Sequence, residues 1–400
     1  MQSPRFATLL SGMAALALVA AACGPAPAAS PAKPAAAPAQ PAAAAPGPPA
    51  GAVAGQAPAA PAAPALQELI DGARRETVLK AQWSPSSFGG AAGFDEIVAG
   101  MNKKYGLSIQ GQFTPGRDMQ ALMASLTQEQ AAGRAASTDV YLGNAPAMVD
   151  ALREGTLRTL DWKAILERPI PADPAFDPYA PDGTAVAFGT TLVGIAYNSS
   201  MVRGDDVPRH MEDPLAPKWK GKIASTVYAA GMREFAMPDM LGRDYVVDYT
   251  KRLSQQVAGL IRCGENERLT SGEFAMLVFA CGGNDVNELK QRGAPIDYAV
   301  VQEATVLHMR YGGVPKNSSA PNAAALLVAY LLTPEGQELL YKLDGMDLPL
   351  FPESHLRDQV DQVKSSGGKV AYNSPQWLLS SPGFTEQQQE LERILREAAN

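Results

Sequence analysis

The sequence is organised around the stretch VAFGTTLVGIAYN, which spans Val186–Asn198 near the middle of the globular part. It is apolar and punctuated by glycine, with turn-forming sequence on both sides, and this pattern predicts a strand. The polar pair Thr190 and Thr191 lies inside it, where hydroxyls and backbone could meet a buried ligand. We interpret the stretch as a strand that crosses from one α/β lobe into another.

The composition excludes a nucleic-acid-binding protein. The 400 residues carry a net charge of −7, and residues 1–64 hold only two charges, Arg5 and Lys33. Removing these two positive charges leaves −9 on residues 65–400. Binding to nucleic acid requires a basic surface, which an acidic domain does not provide.

The N-terminus has the pattern of an export signal. Arg5 is followed by a short apolar run, Leu9–Ala22, which is too short for a stable membrane span. The run ends in Leu18–Gly24 (LVAAACG), which resembles the lipobox of bacterial lipoproteins, with Ala20 where that family more often has leucine. The resemblance implies lipidation of Cys23, and the alternative is a cleaved, soluble protein with a free cysteine.

Residues 24–64 are almost entirely alanine and proline. Such a segment cannot bury a core, so we expect a disordered tether that is partly in the polyproline II conformation. No later apolar stretch is long enough to cross a membrane, since Ala323–Leu332 is only one buried helix long.

The first half of the globular part predicts alternating strands and helices. Strands are expected at Val78–Trp83, Leu107–Phe113 and Asp139–Leu142, with helices between them and a helix capped by Asn144 after them. This βαβαβα order predicts a parallel sheet with helices on its faces. Residues 168–185 are expected to be irregular.

The second half continues the pattern after the crossing strand. Helices are expected over about 231–260, at Ala323–Leu332, at Pro334–Leu343 with Thr333 as N-cap, and at the C-terminus. Residues 344–382 are expected to be rich in loops. Further strands are expected at Ile223–Thr226, Leu260–Cys263, Phe274–Ala280 and Ile296–Val301.

Several short motifs occur one after another between residues 66 and 400. They are Leu66–Leu79, Asp139-Val140, Ala151–Gly155, Ile195–Asn198, Asp213-Pro214, Lys218–Lys222, Ser271–Glu273, Ala320–Ala324 and Leu331–Gln337. With these motifs the chain resembles the extracellular solute-binding proteins of bacterial ABC importers, in the ferric-iron-transport-like branch with the type II periplasmic-binding fold.

The resemblance implies an α/β fold of two lobes, with strands crossing between them and a ligand cleft in the gap. Residues 1–23 would be the signal peptide and 24–64 the tether. Residues 65–187 would form the first part of lobe 1, 188–300 lobe 2, and 301–400 the return to lobe 1 with C-terminal helices. The return crossing would be Ile296–Val301, and ligand contacts would come from the carboxyl ends of strands.

Polar residues at these strand ends are the candidate ligand contacts. They are Ser84, Ser86, Arg117, Asn144, Thr190, Thr191, Tyr228, Arg233, Asn284 and Glu303. Each has an ordinary alternative: turn chemistry for the serines, strand propensity for the threonines, and helix capping for Asn144. Arg117 could bind an anion bidentately or pair with Asp118.

In the second lobe, Tyr228 precedes a predicted helix start, whose free N–H groups would favour an anion. Arg233 stands in the first turn of that helix, against the helix dipole, either because it faces a ligand or because it is simply solvated. Asn284 follows the 274–280 strand. Glu303 follows the return crossing and could bind a cationic group or close a surface ion pair.

Metal binding is not expected. Iron proteins of the resembled branch carry an adjacent pair of tyrosines, which this chain lacks, and Tyr245 and Tyr249 are interpreted as packing residues of a helix. The three histidines, His210, His308 and His355, do not have ligand spacing. We therefore expect a small polar solute, with an anionic group as the favoured case, and no cofactor.

Cys263 and Cys281 each end a predicted strand. If those strands are neighbours, the cysteines could form a disulfide, which an exported domain permits; the alternative is two buried thiols.

The sequence thus predicts a membrane-tethered, monomeric substrate-binding receptor of an ABC importer, whose partners are a small solute, an ABC permease and the bilayer. It would be exported and anchored to the outer face of the cell membrane or lie in the periplasm. The alternatives are a tethered extracellular enzyme such as a hydrolase, or a ligand sensor with the same fold. No hydrolase, zinc-protease, P-loop or dinucleotide motif supports the enzyme, so no catalytic residue is assigned.

Overall fold

The structure is a computed structural model that describes residues 63–84, 87–116, 119–262, 264–280, 282–381 and 383–398. Several predicted features lie outside the described residues: the signal peptide, all but the last two residues of the tether, the lipidation site Cys23, Ser86, Arg117, and the cysteines Cys263 and Cys281. Within the described residues, no helix combines the length and the apolar character needed to cross a bilayer.

Eleven strands and fourteen α-helices make up the described part of the chain. The strands are β1 (Val78–Trp83), β2 (Gln110–Pro115), β3 (Tyr141–Asn144), β4 (Ala185–Leu192), β5 (Gly194–Asn198), β6 (Ile223–Thr226), β7 (Val257–Ile261), β8 (Met276–Ala280), β9 (Ile296–Ala299), β10 (Ala304–Gly313) and β11 (Lys369–Asn373). The helices are α1 (Pro64–Ala73), α2 (Gly90–Tyr105), α3 (Met119–Ala131), α4 (Ala145–Glu154), α5 (Trp162–Ile165), α6 (Met232–Phe235), α7 (Arg243–Ser254), α8 (Glu267–Thr270), α9 (Asn284–Gln291), α10 (Pro321–Leu331), α11 (Pro334–Asp344), α12 (Arg357–Ser365), α13 (Pro375–Leu379) and α14 (Phe384–Ala398).

The strands of the first lobe are arranged around β10. Strand β11 pairs with β10 in parallel, while β3 and β4 pair with it antiparallel. Strands β1 and β2 form a parallel pair, as the βαβ pattern predicts, and a parallel bridge between Ala81 and Val140 joins β1 to the start of β3. The sheet is therefore mixed, because β10 and β4 enter it from later parts of the chain.

The second lobe contains a separate five-stranded sheet in the order β7-β6-β8-β5-β9. Strand β6 is parallel to both β7 and β8, whereas β5 is antiparallel to β8 and β9. Strands β5 and β9 are the two that connect to the first lobe along the chain.

The opening stretch is a crossing between the two sheets. It forms two strands, β4 in the first sheet and β5 in the second, separated only by Val193. Every residue from 185 to 198 is buried, which explains the apolar sequence. The return is similar: β9 ends in the second sheet at Ala299, and β10 begins in the first at Ala304. The predicted two-lobed architecture with hinge crossings is confirmed.

The two crossings are hydrogen-bonded to each other at Val193. Its backbone N–H donates to the carbonyl of Val306 at 3.0 Å, and its carbonyl accepts from Oγ1 of Thr305 at 3.0 Å. Both bonds are buried, so they hold the hinge strands together without competition from water.

Each lobe has its own hydrophobic core. The first includes a cluster in which Trp83 contacts the rings of Phe88 and Phe188 edge to face, at centroid distances of 4.9 and 5.8 Å. The second includes Phe235 and Phe279, with centroids 5.1 Å apart. Leu391 and Leu395 of α14 are also buried in this second core, so residues 301–400 contribute to both lobes.

The helix caps agree with the sequence pattern. Oδ1 of Asn144 accepts from the N–H of Ala147 at 3.0 Å, and Oγ1 of Thr333 accepts from the N–H of Gly336 at 3.1 Å. These bonds satisfy N–H groups that have no partner within the first turn of a helix. The starts of α4 and α11 are therefore specified by local sequence.

Two sequence predictions are wrong in this part of the fold, and one strand was not predicted. The helical region expected over about 231–260 contains α6, α7 and β7, and Pro238 and Gly242, with a φ of +86°, separate the two helices. Residues 344–382 contain α12, β11 and α13 rather than mainly loops. No element was predicted at 304–313, where the longest strand, β10, lies.

Candidate functional site

Two rows of polar side chains run across the strands on one face of the first sheet. Each row has one member on β10, and we name them the His308 row and the Arg310 row. The pairing of β10 places His308 between Thr191 of β4 and Asn373 of β11. Two residues further along, Arg310 pairs with Asn144 at the end of β3. Because side chains alternate across a strand and paired residues point to the same face, these five side chains share one face.

A cavity of about 220 Å³ lies between this face and the second lobe. Asn144, His308, Arg310 and Asn373 line it from the first lobe, together with the first residues of α4. The opposite wall comes from the loop after β6, from α6 and from α14, which contribute Tyr228, Ala230, Arg233 and Gln388. The position at the ends of strands is the one expected for a ligand site in open α/β sheets.

The loop after β6 packs directly against the crossing segment through Gly231. The φ of Gly231 is +71°, and a Cβ added there would lie 2.2 Å from Cγ1 of Val193. Only glycine tolerates both the backbone conformation and this close approach. The loop that carries Tyr228 and Arg233 is therefore fixed relative to the hinge.

A buried carboxylate, Glu234, organises the second-lobe side of the cavity. Its Oε1 accepts from Nε of Arg233 at 2.9 Å and from Nδ2 of Asn373 at 3.0 Å, and Nε2 of His308 lies 3.3 Å away. Burial raises the pKa of Glu234, but Arg233 and His308 outweigh that effect and bring the pKa to about 2. The carboxylate is therefore ionised and joins the two lobes beside the cavity.

Arg310 lies on the first-lobe side, near two other carboxylates. Its Nη1 donates to the carbonyl of His308 at 3.2 Å, and burial lowers the pKa of Arg310 while Asp344 and Asp285 raise it. Burial raises the pKa of Asp344 to about 7, although its Oδ2 accepts from the N–H of Phe88 at 2.9 Å. Burial also raises the pKa of Asp285. Near neutral pH Asp344 therefore only partly offsets the charge of Arg310.

The described residues that line the cavity include two arginines and one histidine but no aspartate or glutamate. Arg233 is bound by Glu234 and by Oε1 of Gln388 at 2.8 Å, so its charge is largely balanced. Arg310 is not bound to a carboxylate within hydrogen-bond distance among the described residues. The cavity wall is therefore electropositive mainly on the Arg310 side.

Some residues predicted from sequence meet at this site. Asn144, Tyr228 and Arg233 line the cavity. Thr191 lies in the His308 row and borders a smaller cavity of about 20 Å³. Thr190, one residue earlier, points to the opposite face, and its N–H donates to the carbonyl of Asp347 at 2.9 Å.

The other described candidates lie elsewhere. The carbonyl of Ser84 accepts from the N–H of Ser87 at 3.0 Å, which is ordinary turn chemistry. Asn284 begins α9 and borders the 20 Å³ cavity rather than the larger one. Glu303 contacts Nδ1 of His210 at 2.9 Å, outside the cavity. The helix start predicted after Tyr228 is the four-residue helix α6, which contains Arg233.

Glu234, His308, Arg310 and Asn373 were not among the site residues predicted from the sequence. A signal was present in ATVLHMRYGG, where His308 and Arg310 alternate with apolar residues, as expected for a strand with one polar face. Asn373 ends the strand KVAYN in a segment that was interpreted as loops. Among the described residues, no three side chains of His, Cys, Asp or Glu form a group that could hold a metal ion.

Comparison with protein families gives one match. The model for "Bacterial extracellular solute-binding protein" matches residues 96–366, which is more than half of the chain. A search of the curated proteins gives no significant match.

Solved structures show the same fold at low sequence identity. An ABC-transporter substrate-binding protein from Agrobacterium tumefaciens has a TM-score of 0.60 and 16% identity, covering 84% of this chain and 97% of its own. The spermidine/putrescine-transporter substrate-binding protein of Streptococcus pneumoniae has a TM-score of 0.58 and 16% identity. The match covers 79% of this chain and 99% of that protein. A Trichodesmium protein in complex with iron and citrate has a TM-score of 0.57 and 17% identity. The match covers 79% of this chain and 99% of that protein.

Proposed function

Because this chain belongs to the bacterial extracellular solute-binding proteins, we propose that it is the receptor of an ABC importer and binds a small anionic solute between its lobes. The observation that carries the anionic preference is the cavity wall, which presents Arg233, His308 and Arg310 and no acidic side chain among its described residues. Similar structures include a protein of a spermidine/putrescine transporter and a protein in complex with iron and citrate, so fold alone does not choose a solute.

Arg310 and the start of α4 together favour an anion at one end of the cavity. Oδ1 of Asn144 already accepts from Ala147, so only its Nδ2 remains to donate toward the cavity. The guanidinium of Arg310 lies in the same row, and α4 is ten residues long, with the positive end of its dipole at the cavity. These groups are all donors, which a carboxylate or phosphonate oxygen would satisfy.

The cavity limits the size of the solute. Its volume of about 220 Å³ is below the range of roughly 300–1,000 Å³ that holds drug-sized ligands. A solute of a few carbon atoms therefore fits better than an oligosaccharide or a peptide.

The same arrangement supports binding without turnover. The ionised Glu234 is held by Arg233 and Asn373 and is fully buried, so it is poorly placed to move protons to a solute. We propose that the protein delivers its solute unchanged to an ABC permease. Formation of any product from a bound solute would overturn this part of the proposal.

We also propose that the protein is exported and held at the membrane by lipid on Cys23, with residues 24–64 as the tether. The motif at Leu18–Gly24 and the Ala/Pro composition support this proposal. Changing Cys23→Ser should move the protein from the membrane fraction to the soluble fraction. If the variant still sediments with membranes, the lipid anchor is wrong.

Isothermal titration calorimetry with small carboxylates, phosphonates and diamines tests the solute class. Arg310→Met should weaken the binding of every anion roughly 10- to 100-fold, since one charge-assisted interaction is lost. Arg243→Met is the matched control, because Arg243 pairs with Glu390 at the surface. Tight binding of diamines, or equal effects of the two substitutions, would refute the anionic proposal.

A further inference from the structure

Asn373 is a buried amide at the end of β11 that faces the cavity. Its side chain lies in the His308 row, and only 3% of the residue is exposed. Its two polar atoms have different environments. Nδ2 donates to Oε1 of Glu234 at 3.0 Å, whereas Oδ1 is buried without a hydrogen-bond donor among the described residues.

The orientation of this amide follows from the chemistry of its neighbour. An ionised carboxylate can only accept hydrogen bonds, so the amide of Asn373 must turn its NH₂ group toward Glu234. The pKa of Glu234, about 2, keeps that carboxylate ionised throughout the neutral range. Oδ1 of Asn373 is consequently committed to accept a hydrogen bond from something other than Glu234.

The unused acceptor lies a short distance from the anion end of the cavity. Asn373 pairs with His308, and Asn144 pairs with Arg310, two residues further along β10. Two residues of an extended strand span about 7 Å. This separation is short enough for one small molecule to span the donors of the Arg310 row and the acceptor of the His308 row.

We propose that the solute carries a hydrogen-bond donor, either a hydroxyl or an amine, on the same molecule as its anionic group, and that Oδ1 of Asn373 accepts from it. The inference rests on the proposed function and narrows its solute class to hydroxy acids and amino acids, or their phosphonate counterparts. Asn373 is then the residue that distinguishes these solutes from simple anions. A simple anion leaves the buried acceptor unsatisfied, which costs affinity.

Matched solutes test the inference directly. The four series are acetate, glycolate and glycine; propionate, lactate and β-alanine; butyrate, 3-hydroxybutyrate and 4-aminobutyrate; and methylphosphonate with its hydroxymethyl and aminomethyl analogues. Titration calorimetry of the wild-type protein should show at least tenfold tighter binding of a donor-bearing member than of its parent anion in one or more series. Preference for the hydroxy or for the amino members identifies the donor.

Asn373→Leu provides the residue-level test. The variant should lose the preference for the donor-bearing member, so that the ratio of its affinities for that solute and for the parent anion falls at least tenfold from the wild-type ratio. Retained binding of the parent anion also shows that the variant is folded. Asn317→Leu is the matched control, because Asn317 bonds to the carbonyl of Arg134 away from the cavity. This control should keep the preference.

The outcomes separate the two proposals. If the parent anions bind as well as their donor-bearing analogues, the inference about Asn373 is wrong and the anionic receptor stands. If the preference exists but survives in Asn373→Leu, the role of this residue is wrong. If no member of any series binds, the anionic proposal itself fails, and this inference fails with it.

Discussion

Replacing Glu234 with glutamine should destabilise the protein strongly at neutral pH and much less in acid. The carboxylate is fully buried between Arg233, His308 and Asn373, and its pKa is about 2 against an ordinary value of 4.5. A shift of this size corresponds to about 3 kcal/mol, since one pKa unit is about 1.4 kcal/mol. Glutamine has nearly the same shape, so the substitution removes the charge without leaving a cavity.

The sign of the pH dependence follows from the direction of the shift. The pKa of Glu234 is lower in the folded protein than in the unfolded chain, so its contribution is complete above pH 4.5. It is lost as the pH falls from 4.5 toward 2, where the folded protein must also bind the proton. The cost of Glu234→Gln should therefore be about 3 kcal/mol at pH 7 and less than half of that near pH 3.

Urea unfolding followed by circular dichroism at pH 7, 5 and 3 measures this cost. Glu96→Gln is the control, since Glu96 forms an exposed pair with Lys342 at 2.6 Å. That substitution should cost no more than about 0.5 kcal/mol at any of these pH values. A cost for Glu234→Gln that does not depend on pH, or that equals the control, would refute the role assigned to the buried charge.

Two further predictions concern single positions, and one measurement concerns a pair of cysteines. Burial raises the pKa of Asp344 to about 7, so Asp344→Asn should increase the free energy of unfolding at pH 8 and change it little near pH 3.8, as measured by urea titration at both pH values. Asn144→Ala removes the cap bond to Ala147 and should lower the free energy of unfolding by about 1 kcal/mol in the same assay at pH 7, with no effect expected if the cap is redundant. Cys263 and Cys281 lie outside the described residues, and a count of free thiols on denatured, unreduced protein distinguishes a disulfide from two thiols.

Local signals in the sequence were enough for the framework of the fold. The caps at Asn144 and Thr333 are set by a side chain bonding three residues ahead, and the crossing stretch is set by an unbroken buried run. Both kinds of signal are contained within a few residues, so no distant contact is needed to recognise them. The family resemblance supplied the two lobes, which no local pattern could specify.

The site was harder to predict because it depends on pairing between distant strands. His308 is brought beside Thr191 and Asn373 only by the registers of β10 with β4 and β11. A register shift of one residue would place Thr190, not Thr191, on the cavity side. The sequence therefore indicated both threonines, and it could not choose between them.

Helix propensity was misleading near Arg233 for a related reason. The sequence favours a long helix there, yet Gly231 must pack against Val193 and Gly242 adopts a φ of +86°. The resulting short turn leaves Arg233 beside Glu234 instead of on a solvated helix face. Tertiary contacts of the hinge decide this local structure, and they outweigh intrinsic propensity.

The hinge and the solute site share their structural elements, and this links binding to the angle between the lobes. Strand β10 bonds to Val193 through Val306 and presents His308 and Arg310 only a few residues later. On the other lobe, Gly231 fixes the loop of Arg233 against the same valine. A solute that contacts both walls would therefore contact two elements, β10 and the segment of Arg233, that both pack against Val193. We therefore expect substitutions at Val193 to change the affinity for a solute bound in this cavity, although this residue does not line it.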